Sequence, residues 1–194
     1  MAEPVQFVFS FRSPYAWLAA RCVLPKLPAG TEVRWRPFFP LPSFANFPPL
    51  IEGKVRYLVR DVARLCRHYD VPLRFPTADD PDWAIPHAAF LAADAQGRGP
   101  QFALRLYAAR WERGEDVARE DAISCAAEEA SLDPAPLLAA SRDAGRRDAL
   151  RAEVQRAFDE EGIFGVPTLI LPRGSRFWGH DRIEMAIREG WIAA

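Results

Sequence analysis

The sequence predicts an α/β fold: a small mixed sheet assembled from the two ends of the chain, with an all-helical insertion between them. Three observations carry that expectation. A strand–helix–strand pattern opens the chain. A strand–turn–strand–helix pattern closes it. Between them, from about Leu50 to Glu161, apolar residues recur at helical spacing. Neither end can cover both faces of a sheet by itself, so the two must join.

Val5 to Phe11 is β-branched and aromatic, which predicts a mostly buried strand. Ser13-Pro14 follows, a hydroxyl residue at an N-cap with proline at the first helical position. Trp17, Leu18, Cys22 and Leu24 continue as a helix until Pro25, Pro28 and Gly30 stop it. Glu32 to Arg36 alternates as a second strand, completing a right-handed βαβ unit with a parallel pair. Pro37 to Pro49 holds five prolines and four phenylalanines, an irregular aromatic loop. Tyr57, Leu58, Val62, Leu65 and Cys66 form the first stripe of the insertion, and Leu150, Val154 and Phe158 the last. Beyond a glycine-bounded turn at Gly162–Pro167, Thr168–Leu171 and Arg176–Trp178 read as a hairpin around Pro172-Arg173-Gly174-Ser175. Asp181 to Glu189 reads as a final helix, with Asp181 and Glu184 at capping-box spacing. The expected organisation is therefore a thioredoxin-like domain formed by residues 1–49 and 156–194, with a helical insertion domain at 50–155.

The 194 residues are 49% hydrophobic and 26% charged, with a net charge of −1. That balance supplies one sizeable core and argues against nucleic acid or an anionic membrane as a partner. Of the 25 basic residues only Lys26 and Lys54 are lysines, and no block of like charge occurs. Met1-Ala2-Glu3-Pro4 has no positive leader, and no apolar run approaches the roughly 18 residues of a membrane span. Cys22, Cys66 and Cys125 are odd in number and far apart, so free thiols in a reducing cytoplasm are expected. His68, His87 and His180 show no metal-ligand spacing with them, and no metal is expected. G-x-S-x-G and the phosphate-binding G-x-x-x-x-G-K-[ST] are both missing.

Chemistry concentrates in Phe9 to Leu18, F-S-F-R-S-P-Y-A-W-L. Thioredoxin-like oxidoreductases carry C-x-x-C at this strand–helix junction; here Ser13-Pro14-Tyr15-Ala16 stands instead. Without either sulfur, this site performs no dithiol chemistry. A hydroxyl at a helix start remains, able to hold an anion such as a thiolate supplied from elsewhere.

The segment resembles the S-P-Y-S/A-W/Y-L motif of kappa-class glutathione transferases and 2-hydroxychromene-2-carboxylate isomerases. The resemblance covers nearly the whole chain. It extends through Asn46, Lys54-Val55-Arg56-Tyr57, Phe75-Pro76, Gly165-Val166-Pro167-Thr168 and Phe177-Trp178-Gly179-His180-Asp181-Arg182. It implies a DsbA-type arrangement of fold and insertion, a homodimer, and glutathione as cofactor. Ser13 matches the serine that donates a hydrogen bond to the glutathione sulfur. A hydrogen bond to a charged group contributes about 1.5–3 kcal/mol, and a helix start about 0.3–1 more. Together they would bring a thiol with an ordinary pKa of about 8.5 towards neutrality.

By the same resemblance, Val166 and a cis Pro167 pair with the cysteinyl backbone of the tripeptide. His180, Asp181 and Arg182 meet its γ-glutamyl end, and Asn46 and Lys54 reach its glycyl end and backbone. Apart from the resemblance, Ser13 and Asp181 also read as helix caps and Lys54 as a solvated surface lysine. Phe11, Phe38, Phe39, Phe44, Phe47 and Trp83 offer an apolar pocket for an aromatic substrate, and Arg12 a partner for its carboxylate; core packing and a solvated arginine are the plain alternatives. Ser10 stands where members of the family often carry an acidic residue. The implied activity is isomerisation of an aromatic-degradation intermediate by reversible thiolate addition to a conjugated double bond. A kappa-like transferase and a redox-inactive DsbA-like binding protein share the same residues.

Overall fold

The computed structural model describes residues 4–44, 51–77 and 79–192. Its four strands, β1 (Val5–Phe9), β2 (Val33–Pro37), β3 (Thr168–Ile170) and β4 (Arg176–Trp178), form one sheet in the order β2-β1-β3-β4. β1 runs parallel to β2, with Phe7 opposite Trp35. It runs antiparallel to β3, with Val8 opposite Thr168, and β3 is antiparallel to β4. The two ends of the chain thus share a sheet, as their separate inability to bury one required. The topology is thioredoxin-like.

The helices are α1 (Pro14–Leu18), α2 (Glu52–Tyr69), α3 (Ala84–Asp94), α4 (Gly99–Trp111), α5 (Glu120–Glu129), α6 (Pro134–Arg142), α7 (Ala144–Asp159) and α8 (His180–Arg188). The six from α2 to α7 lie between β2 and β3 in the chain, and α7 runs through residue 155. α1 passes into a π-helical turn, Ala19–Val23, where Leu24 N–H donates to Ala19 C=O, and then into a 3-10 turn, Leu24–Lys26. The regular helix expected over this stretch is therefore wound unevenly, and it tightens where Pro25 has no N–H to give.

One face of the central strands is aromatic. Phe7 and Phe9 of β1 meet Trp35 of β2 edge-on, at 4.9 and 5.2 Å between ring centroids. Phe9 meets Phe90 of α3 at 4.8 Å and Tyr107 of α4 at 6.3 Å. The sheet and the insertion therefore share a continuous core, since a strand of alternating phenylalanines presents one flat face that only a second layer can cover. Trp17 of α1 stacks on Trp111 of α4, tying the helix after β1 to the same insertion.

Two sequence expectations change in detail. β1 ends at Phe9 rather than Phe11, because Ser13 N–H turns back to Ser10 C=O at 3.0 Å and closes a tight turn. The last helix is capped by Gly179 at φ +105° and not by Asp181. Asp181 lies inside the first turn, and Glu184 makes no reciprocal bond but joins Lys26 and Tyr69 instead. Glycine suits the cap because a φ of +105° is one that L side chains rarely adopt.

The shared core carries the stability of both layers. Replacing Phe9 with Ala is expected to cost about 3–5 kcal/mol in urea unfolding; a loss under about 1 kcal/mol would show that the layers hold independently.

Candidate active site

The turn from Ser10 to Ser13 is held from outside itself by three side chains of the insertion. Phe11 N–H donates to His87 Nε2 at 3.3 Å. Tyr107 Oη donates to Ser10 C=O at 3.0 Å, and Trp111 Nε1 donates to Phe11 C=O at 3.1 Å. Within the turn, Arg12 N–H donates to Ser10 Oγ at 3.2 Å. Ser10, where the related motif is often acidic, is almost fully buried and engaged in holding this turn.

His87 is fixed as the neutral tautomer with its proton on Nδ1. Nε2 accepts from Phe11, so Nδ1 must donate, and Trp83 C=O lies 2.6 Å away to receive it. The rings of Phe11 and Phe39 each lie 4.8 Å from the imidazole, and that of Phe9 5.6 Å. Complete burial among them drives the His87 pKa down to about 3, opposed only in part by the bond to Trp83.

Ser13 stands at the end of this turn as the N-cap of α1, half-buried, its Oγ accepting from Ala16 N–H at 3.1 Å. A hydroxyl that accepts there still has its own hydrogen to donate. The Val166–Pro167 peptide is cis. β3 begins at Thr168, opposite Val8, so one further step of that register sets Pro167 level with Phe9, just before the Ser13 turn. Among the described residues, neither the N–H nor the C=O of Val166 has a hydrogen-bond partner. Gly165 precedes it because Trp178 Nε1 lies only 2.6 Å from where a Cβ would stand.

The start of α8 closes the third side. Gly179 N–H donates to Pro167 C=O at 2.9 Å. His180, 8% exposed, stacks on Tyr15 of α1 at 5.5 Å and meets Tyr69 of α2 edge-on at 6.4 Å. Burial lowers the His180 pKa, against the attraction of Asp181, Glu184 and Asp61. Tyr15 donates to Asp61 Oδ2 at 2.7 Å, and burial followed by that bond raises its own pKa. Asp181 and Arg182 are exposed and pair with each other at 3.2 Å, a contact weak enough in water to be exchanged for another.

Ser13, Val166, Pro167, His180, Asp181 and Arg182 are therefore drawn together by β1–β3 pairing and the Gly179–Pro167 bond. Lys54 is exposed on α2, roughly 10 Å along the helix from Asp61, which joins Tyr15. Asn46 and Phe47 lie outside the described residues. Phe11, Phe39 and Trp83, expected around an aromatic substrate, are buried in the core, where Phe11 and Phe39 pack about His87. They back the Ser13 turn rather than wall an open cleft, because the sheet and the insertion need those rings to close the layer between them. Arg12 pairs with Asp80 at 2.6 Å.

His87, Tyr107 and Trp111 are absent from the residues singled out by sequence. Their one signal was a histidine on the alanine-rich stretch Ile85–Ala89, and a lone buried histidine is most often only a satisfied core residue. The three cysteines are Cys22, half-buried, Cys66, buried, and Cys125, exposed. Burial pushes the Cys66 thiol up to about 11, so it is no thiolate near neutrality. No group of three or more metal-ligating side chains occurs among the described residues, and no helix there is long and apolar enough to cross a membrane.

Comparison with known proteins places this geometry among relatives. Residues 4–188 match the family model described as a DSBA-like thioredoxin domain. The chain is 28% identical over 193 residues to 2-hydroxychromene-2-carboxylate isomerase of Sphingobium xenophagum, covering 95% of this chain and 96% of that one. A solved 2-hydroxychromene-2-carboxylate isomerase superposes with a TM-score of 0.80 at 23% identity, over 97% of this chain and 95% of the other. The cytosolic disulfide reductase DsbM from Pseudomonas aeruginosa, solved with GSH, gives 0.66 at 20% identity, over 97% and 99%.

Acid should loosen this site through His87. Between the ordinary histidine value near 6.5 and the folded value of about 3, the unfolded chain binds a proton that the folded chain refuses. Unfolding free energy, measured in urea, is therefore expected to fall as pH drops from 6.5 towards 3, and to lose His87's share of that slope in His87→Gln. An identical slope in the variant would show that His87 does not titrate on unfolding.

Proposed function

The chain belongs to the DSBA-like thioredoxin domain family, and we propose that it is a glutathione-dependent isomerase of the 2-hydroxychromene-2-carboxylate isomerase type. The carrying observation is Ser13: at the α1 cap, without a cysteine, a hydroxyl hydrogen that is free among the described residues, beside a cis-Pro turn whose Val166 amide is unengaged among them. The likeness to an isomerase along nearly the full length of both chains supports the same reading.

The residues present suit a γ-glutamyl tripeptide. The Val166 N–H and C=O would take its cysteinyl backbone as an added strand. Asp181 and Arg182, exposed and of opposite charge, suit the ammonium and carboxylate of its γ-glutamyl end. The Tyr15–His180 stack stiffens the floor between Ser13 and α8. Lys54 and Asn46 belong to the proposal through family resemblance alone.

Glutathione bound here would supply a thiolate, a nucleophile able to add reversibly to a conjugated alkene. The protein's part is to hold and ionise that sulfur. Ser13 donates its hydrogen to the anion while its oxygen keeps the Ala16 amide. The three bonds from His87, Tyr107 and Trp111 fix where that donor points, so little reorganisation accompanies charge formation. The substrate class is a small aromatic-degradation intermediate that opens to an α,β-unsaturated 2-oxo acid. A kappa-like transferase is the second reading: it uses the same residues but consumes the thiol.

Three measurements test this. Calorimetry should detect glutathione binding, and no heat at millimolar concentration would favour a redox-inactive binding protein. Ultraviolet titration of the bound thiolate should show its pKa raised in Ser13→Ala by about one to two, the equivalent of one charged hydrogen bond; an unchanged titration ends the role of Ser13. Turnover of 2-hydroxychromene-2-carboxylate with catalytic glutathione marks an isomerase, whereas stoichiometric thiol loss marks a transferase.

A further inference from the structure

Arg110, the penultimate residue of α4, is only 4% exposed. Its guanidinium lies over the rings of Trp83 and Trp111, at 5.2 and 5.8 Å from their centroids. Among the described residues, its Nε and Nη1 are buried without any hydrogen-bond partner, and Trp83 Nε1 beside them is in the same condition. Its one ion pair among the described residues is long: Nη2 lies 3.8 Å from Asp80 Oδ1. The other oxygen of Asp80 is 2.6 Å from Arg12 Nε. A buried guanidinium with unused donors is costly, and an anion that reached them would offset that cost.

We propose that Arg110 and Arg12, with Trp83 Nε1, form a carboxylate-recognition subsite for the substrate, and that Asp80 holds the place of that carboxylate in the free protein. The inference rests on the reading of the chain as an enzyme acting on an unsaturated acid, and it names the residues that would select the acid. Three features support it.

The first is position. Arg12 immediately precedes Ser13, and Trp111, on which Arg110 lies, donates to Phe11 C=O in the same turn. A carboxylate held there is anchored to the residue that faces the sulfur. The second is the pattern of charge. One carboxylate already divides its two oxygens between the two arginines, tightly to one and loosely to the other. A ligand carboxylate in the place of Asp80 can engage Arg110 with both oxygens, through Nη2 together with the unpartnered Nε or Nη1, where Asp80 meets Nη2 alone and loosely. The third is shape. The guanidinium lies over two indole rings that are buried as it is, so the place beside it suits the planar carboxylate of a conjugated acid entering where Asp80 now stands, rather than a compact tetrahedral anion such as phosphate.

Asp80 is exposed and lies outside any helix or strand, and Asp80→Asn keeps its size and one oxygen acceptor beside Arg110; thermal melting confirms that this variant folds. The test uses the intact chain and needs no turnover. trans-Cinnamate and its uncharged amide, cinnamamide, are titrated against the tryptophan fluorescence of the protein, with inorganic phosphate and benzoate as competitors. Cinnamate should bind and cinnamamide should not. Asp80→Asn should tighten cinnamate by about fivefold or more, by removing the internal competitor. Arg12→Gln and Arg110→Lys should each weaken it by about tenfold, with thermal melting used to confirm that both fold. Equal binding of acid and amide, no binding of either, phosphate displacing cinnamate more strongly than benzoate does, or an unchanged affinity in Asp80→Asn would each overturn the subsite. Glutathione binding is measured separately. A chain that shows this cinnamate dependence but takes up no glutathione retains the subsite and loses only the thiol chemistry.

Discussion

The site depends on one constraint: the turn between β1 and α1 cannot satisfy its own backbone. Ser10 C=O, Phe11 N–H and Phe11 C=O face the insertion, and each is met there by a side chain, from Tyr107, His87 and Trp111 respectively. Leaving either group of Phe11 buried and unpaired would cost about 1–3 kcal/mol, and Ser10 C=O, which also accepts from Ser13 N–H, would lose its second bond. The insertion is therefore more than a cover for the sheet. It supplies the polar partners that let a strand end and a helix begin within a few residues, with Ser13 held at the junction.

His87 shows how strict that arrangement is. It must be an acceptor at Nε2 and a donor at Nδ1, and only the neutral ring is both. The aromatic enclosure that suppresses its protonation is the same one that gives the sheet its core. Packing, tautomer and the placement of Ser13 are consequences of a single cluster. The cis-Pro turn is set independently, by β3 pairing with β1 and by the amide of Gly179. Two separately built loops thus come together near Ser13.

Charge is distributed unevenly around that point. Most ion pairs are exposed arginine–carboxylate contacts of small energetic consequence, such as Arg119–Asp121 and Arg188–Glu189. Arg110 differs because its charge is buried with aromatic rings close by and a distant counter-ion. The difference in burial, not in the residue type, separates a solvated face from a place where an anion gains from binding.

Much of this was legible along the chain. Ser13-Pro14 marked a helix start, the glycine-bounded turn at Val166-Pro167 preceded a hairpin, and the β-branched and aromatic runs marked the strands. Each depends on φ/ψ preference, hydrogen-bonding capacity or periodicity within a few residues, and local sequence encodes those directly. The cap of α8 was misplaced because Asp181 and Glu184 have the right spacing, yet Glu184 finds Lys26 and Tyr69 instead. His87, Tyr107, Trp111 and Arg110 carried no such local mark. They matter only because folding brings α3 and α4 against a turn that precedes them by some 75 to 100 residues. The sequence by itself determined the elements and the sulfur-free character of the site. Tertiary structure alone decided which buried groups would be partnered, since burial and pairing are properties of neighbours that the chain order does not place side by side.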